Sequence, residues 1–218
     1  LTTLYKIVTL VRIMLKLEID NLGKWFGRRR IFEGITLSVA RGQSAAITGP
    51  NGSGKTTMLR LIMGLSYPTR GTVGFSEDGR KLDFDQYRRK LALVSPYLSL
   101  YDSLTALENL RFFAKVGGRV VSDEEMRGAL GRVGLGGRGD DFVGAYSTGM
   151  KQRLKYAVAL LKDPAIWLID EPSANLDDEG KRIVHELIRD AKDNSILVIA
   201  TNEKEEYSLA GQFCKLGG

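Results

Sequence analysis

Residues 44–57 run SAAIT-GPNGSGK-TT, an apolar stretch, a glycine-rich turn and the opening of a helical pattern with nothing between them. The turn, Gly49, Pro50, Asn51, Gly52, Ser53, Gly54, Lys55, Thr56 and Thr57, matches G-x-x-x-x-G-K-[ST]. Glycines let the backbone wrap closely round an anion and turn successive N–H groups inward. A helix starting near Lys55 adds its positive N-terminal end, roughly half a charge. Lys55 has the reach for β- and γ-phosphates, and the Thr56 hydroxyl suits Mg²⁺. A strand running straight into such a loop and helix belongs to a parallel sheet covered on both faces.

The rest of the chain agrees with that expectation. Two further apolar runs, AIWLID at 165–170 and SILVIAT at 195–201, are bounded by Pro, Asp and Asn and read as buried parallel strands. Helical patterns, TTMLRLIMGL after the first run and GKRIVHELIRDAK before the last, separate them, as in an α/β domain. Leu15, Leu17 and Ile19 alternate with charged residues, and Ile31 to Val39 reads as a second strand, so antiparallel N-terminal strands are expected. The Gly27 to Arg30 segment between them reads as a solvated hairpin tip. Residues 104–115, 122–133 and 147–162 have helical patterns, and Ser122 with Glu125 forms a capping box. A helical subdomain at about 100–162 therefore interrupts the α/β core.

At 218 residues the chain suits one sizeable core. Its formal charge of +6 fits an anionic ligand but is ordinary for solubility, and no nucleic-acid partner is expected from it. The single Cys214 excludes an internal disulfide framework, so a cytoplasmic setting is the default. Lys6, Arg12 and Lys16 interrupt the apolar start, which falls short of the about 20 apolar residues that a spanning helix needs. Residues 1–13 are read as an N-terminal extension, with an interfacial anchor as the alternative, and the domain as 14–218.

The run at 165–170 ends in two acids, Asp170 and Glu171. In a phosphate-loop enzyme the first holds Mg²⁺ and the second can orient and deprotonate a water. With these motifs in order, the chain resembles the ATP-binding subunit of ABC transporters, from about Met14 onward. Tyr146-Ser-Thr-Gly-Met-Lys-Gln-Arg153 is similar to the family's signature, and Ala174-Asn-Leu-Asp177 to its D-loop. LTALENLRFF at 104–113 resembles its helical-subdomain segment, and Phe26, or Trp25 beside it, stands where the family stacks an aromatic on adenine.

The resemblance implies a phosphate-loop NTPase core that binds and hydrolyses MgATP, with Glu171 and Lys55 catalytic and Thr56 and Asp170 on the metal. It also implies a homodimer or heterodimer in which Ser147 and Gly149 of one subunit contact the other's ATP, with Asp177 in the D-loop. An integral membrane permease, served from the cytoplasmic face, is the implied partner. The signature and the length look most like an export-type single-domain subunit. Its docking surface is expected on the helical subdomain and around Pro96 to Tyr101, a segment made apolar by Tyr97, Leu98, Leu100 and Tyr101.

Two positions depart from the family. Pro96 stands near the place of a glutamine that ligates Mg²⁺, with Ser95 as a substitute oxygen donor, and Asn202 stands in place of the switch histidine. Asn can hydrogen-bond a phosphate oxygen but cannot carry a histidine's charge. His185, the only histidine, falls mid-helix and reads as an ordinary surface or half-buried side chain. Slow but real hydrolysis is expected. The alternatives are a non-transporting ABC ATPase that regulates a partner by ATP-dependent dimerisation, and a degenerate half of an asymmetric pair.

Overall fold

The computed structural model describes residues 14–217, so the expected extension at 1–13 lies outside the described residues. Two sheets form the frame. β1 (Leu15–Phe26) and β2 (Arg29–Ala40) make a hairpin, flanked by β4 (Arg70–Glu77) and β5 (Arg80–Leu82) in an antiparallel sheet of order β2-β1-β4-β5. The hairpin tip is shorter than the sequence suggests. Gly27 takes φ 58° and turns with Arg28 alone, while Arg29 and Arg30 pair with Phe26 and Trp25. A positive φ at Gly27 lets the chain reverse within two residues, and that zips the arginines into the ladder.

The second sheet is parallel, in the order β6-β7-β8-β3-β9. β3 (Ser44–Thr48), β7 (Ile166–Asp170) and β8 (Ile196–Thr201) are the three apolar runs, and every residue in them is buried. β6 (Leu91–Val94) and β9 (Gln212–Lys215) extend the sheet at its two sides. Alternate residues face opposite cores, as the pleat requires. Ile166 and Leu168 join Leu17, Ile47 and Met58 beneath the antiparallel sheet. Trp167 and Ile169 join the helices on the other face.

α1 (Lys55–Ile62) follows β3, and α2 (Phe84–Arg89) precedes β6. The inserted helices are α3 (Ala106–Val116), α4 (Asp123–Arg132) and α5 (Thr148–Leu161); α6 (Asp178–Lys192) then leads into β8. Thr105 with Glu108 and Ser122 with Glu125 form capping boxes at α3 and α4, which fixes where those helices begin. The insert's Leu110, Met126, Leu130 and Leu154 share one core with Val94 and Trp167 of the sheet, so helices and sheet are packed as a unit. Among the described residues no helix is long and apolar enough to cross a membrane.

Candidate nucleotide site

Loops leave the parallel sheet side by side at its C-terminal edge: 49–54 after β3, 171–177 after β7, and the segment beginning at Asn202 after β8. The register sets Thr48 against Thr201 and Asp170 against Ala200, which brings these loops level. Ligands of open α/β sheets bind at this edge. Here it opens into a cleft of about 1060 Å³.

In the phosphate loop, Gly52 and Gly54 adopt φ 79° and 103°, a region that disfavours other residues. A Cβ on Gly52 would meet nothing within 4 Å, whereas one on Gly54 would strike Ile31 and Phe32. Gly52 thus gives the loop an open inner wall, and Gly54 lets the start of α1 approach β2. Asn51, Gly52, Gly54, Lys55, Thr56 and Thr57 line the cleft. Gly49, Pro50 and Ser53 do not; Gly49 is packed against the Leu216 carbonyl, and Ser53 is buried. These three shape the loop from behind.

Lys55 Nζ is buried, donates to the carbonyl of Gly49 at 3.0 Å, and lies 3.6 Å from Glu171 Oε1. The Thr56 hydroxyl donates to Asp170 Oδ2 at 2.9 Å. Asp170 Oδ1 and Ser53 Oγ are buried without a partner. An unpaired buried carboxylate oxygen costs stability, and a cation beside Thr56 and Asp170 would satisfy it, so the donor set fits Mg²⁺. Among the described residues no cluster of three or more His, Cys, Asp or Glu could hold a metal, so such an ion must draw its remaining ligands from phosphates or water.

Burial pushes both carboxyl groups up. For Asp170 the Thr56 hydrogen bond and Lys55 oppose the rise. For Glu171 Lys55 opposes it, while Asp170 and Glu206 add to it. Glu171 also sits at φ 49°, a strained conformation for a residue with a Cβ. Its N–H donates to the Ala200 carbonyl at 2.8 Å and its carbonyl accepts from Ala174 at 3.1 Å, which hold the turn.

Asn202 reaches the phosphate loop: its Nδ2 donates to Asn51 Oδ1 at 3.2 Å, and both residues line the cleft. Phe26 lines the cleft as well, together with Arg29, whereas Trp25 packs over Gly23. Pro96 and Tyr97 line it too, but Ser95 does not. The Ser95 hydroxyl is buried and accepts from the Tyr97 amide at 3.3 Å, so it is no substitute ligand. The apolar 97–101 segment divides. Leu98 lines a separate groove, Leu100 packs on the helical core, and Tyr101 meets Phe112 edge to face.

Ser147 caps α5, accepting from the Met150 amide at 3.1 Å, and Asp177 caps α6, accepting from Gly180 at 2.9 Å. A Cβ on Gly149 would stand 3.0 Å from the Asn175 carbonyl, so the glycine lets α5 meet the 171–177 loop closely. Neither Ser147 nor Gly149 lines this subunit's own cleft.

The structure adds residues that the sequence does not single out. Glu206 is buried and accepts from the Ser173 amide at 2.9 Å, and His185 Nε2 lies 2.9 Å from the Ser173 hydroxyl. His185, half-buried on α6 as the sequence suggests, is thereby tied through Ser173 to the loop carrying Glu171. The fully buried Tyr156 donates to the Pro172 carbonyl at 3.0 Å. These contacts join residues far apart in sequence, and no local pattern marks them.

A family model described as ABC transporter matches residues 32–174. The chain belongs to the ABC transporter family. It is 32% identical over 192 residues to the cytochrome c biogenesis ATP-binding export protein CcmA of Vibrio parahaemolyticus serotype O3:K6 (strain RIMD 2210633), covering 88% of this chain and 94% of that protein. It is 32% identical over 194 residues to the linearmycin resistance ATP-binding protein LnrL of Bacillus subtilis (strain 168), covering 87% of this chain and 62% of LnrL. Among solved structures, one titled as an ATP-binding subunit of an ABC transporter superposes with a TM-score of 0.79 at 30% identity, covering 92% of this chain and 85% of its own. The α/β fold with a parallel sheet and antiparallel strands is that of the family's ATP-binding subunits.

Proposed function

We propose that this chain binds and hydrolyses MgATP to drive transport through a separate integral membrane permease. The observation that carries the reading is the convergence of Lys55, Thr56, Asp170 and Glu171 on one cleft at the sheet edge. The phosphate-loop amides and the N-terminus of α1 hold the phosphates, and Lys55 neutralises the β- and γ-oxygens. Thr56 and Asp170 would hold Mg²⁺, which would supply positive charge to offset the phosphates. Glu171, its affinity for a proton raised by burial, orients a water and takes its proton as the water oxygen attacks the γ-phosphorus and ADP leaves. Asn202 donates to a γ-phosphate oxygen in place of a charged switch. Lys24 Nζ lies 4.9 Å from the centre of the Phe26 ring and covers one face, so adenine stacks on the other.

A second copy or a paralogue supplies Ser147 and Gly149 across the nucleotide, with the α5 N-terminus facing the γ-phosphate. The permease docks in the apolar groove lined by Leu65, Leu98, Phe113, Val116 and Val158, which places this subunit peripherally on the cytoplasmic face. The names of CcmA and LnrL, an export protein and a resistance protein, support an export role. Affinity purification from detergent-solubilised membranes tests this. A multi-span membrane protein in near-stoichiometric yield supports the reading; soluble partners alone, where a known membrane complex survives, point to a regulatory ATPase. Pro96 and Asn202 are the observations that favour that second reading.

A further inference from the structure

Lys155 has no part in the chemistry above, yet it is a lysine only 8% exposed, standing eight residues after Ser147 on α5. Its Nζ donates to the Ser95 carbonyl at 3.2 Å and the Pro96 carbonyl at 2.8 Å, main-chain acceptors rather than a carboxylate. The Ser95 carbonyl also accepts from the Leu98 amide at 3.1 Å, and the Ser95 hydroxyl from the Tyr97 amide. Ser95 to Leu98 is thus a tight turn braced from beneath by an ammonium group. Its members face two sites: Pro96 and Tyr97 line the nucleotide cleft, and Leu98 lines the apolar groove.

A buried ammonium is costly, and burial pushes the Lys155 pKa down. A methionine of similar length would fill the same space without that cost, so packing alone does not account for a lysine. Pro96, second in the turn, suits it through its fixed φ but has no side-chain oxygen to tie the turn to a metal or to another element. The Lys155 contacts supply an anchor from a different element.

We propose that Lys155 is a positioning residue that ties the Ser95–Leu98 turn to α5, so that the helix facing a partner subunit's ATP and the turn between nucleotide cleft and docking groove shift as one piece. The coupling rests on the functional reading above; the anchoring of the turn does not.

The test is hydrogen exchange on the full chain without nucleotide, comparing wild type with Lys155→Met. Exchange at the 97–101 amides is expected to speed up about tenfold or more, while β6 and the body of α5 stay within about twofold. In steady-state ATP hydrolysis the same variant is expected to lose about tenfold in kcat with little change in KM, and adding Pro96→Gln, which restores a side-chain oxygen at the cleft, is expected to recover part of it. Unchanged exchange in the turn overturns the proposal, as does faster exchange spread evenly over α5 and the sheet. If Lys155→Met fails to fold, Lys155→Gln is judged by the same exchange pattern. A wild type without ATPase activity removes the functional reading but leaves the exchange result to decide the anchor.

Discussion

The Glu171 carboxyl lies 3.6 Å from Lys55 and close enough to Asp170 and Glu206 to feel their charge, in a half-buried setting where its proton is held more tightly than at the ordinary value of 4.5. A general base must be ionised, so hydrolysis is expected to fall on acidification at a pH above that of an ordinary carboxylate; a pH profile of kcat reads this. The stability sign follows from the same shift. A carboxyl whose pKa is raised by folding favours the folded state below its unfolded value and loses that contribution as pH rises through the folded value. Glu171→Gln is therefore expected to melt above wild type at pH 7 and to converge with it below about pH 4. At Asn202, hydrogen-bonded to Asn51 in the phosphate loop, Asn202→His is expected to raise phosphate release severalfold if a chargeable switch limits turnover. Lys55, Thr56, Asp170 and Glu171 were legible in the sequence because the first two open the helix after one apolar strand and its glycine loop, and the other two close a second apolar strand. Glu206, Ser173 and Lys155 were not, since their partners lie 33 and 59 to 60 residues away.

Among the elements, α5 carries the most. Ser147 caps it, Gly149 meets the Asn175 carbonyl, Lys155 holds the Ser95–Leu98 turn and Tyr156 holds Pro172. Ser147→Ala is expected to cost about 1 kcal/mol of stability through the lost cap, read by denaturant unfolding. In the proposed dimer, where the residue would face the partner's nucleotide, it is expected to weaken ATP-driven association by more than that. The helix itself was readable from its pattern, as were α3 and α4 from their capping boxes. β5 has three residues and β9 four, too short for any periodicity to emerge, and β4 is broken by Gly71 and Gly74. The pairing of Arg29 and Arg30 was hidden for another reason. Turn geometry set by Gly27, not arginine's own preference, decides where the hairpin closes.

On the scale of the whole molecule, the parallel sheet does the assembling. Five strands in one direction put the phosphate loop, the acidic pair, Asn202 and the Pro96 turn on one edge, with the helical insert joined to the same core. A site so exposed at an edge suits closure by a second subunit. With ATP and Mg²⁺, the Glu171→Gln variant is expected to elute near twice the monomer mass of 24.1 kDa, and to return to monomer on nucleotide removal. The central claim is that this cleft hydrolyses ATP with Glu171 as base. Steady-state phosphate release by wild type and by Glu171→Gln, with ATP binding measured alongside, tests it most directly. The account predicts slow but measurable release by wild type and a loss of about 10²–10⁴-fold in the variant, with binding retained. Equal rates in the two proteins would contradict it.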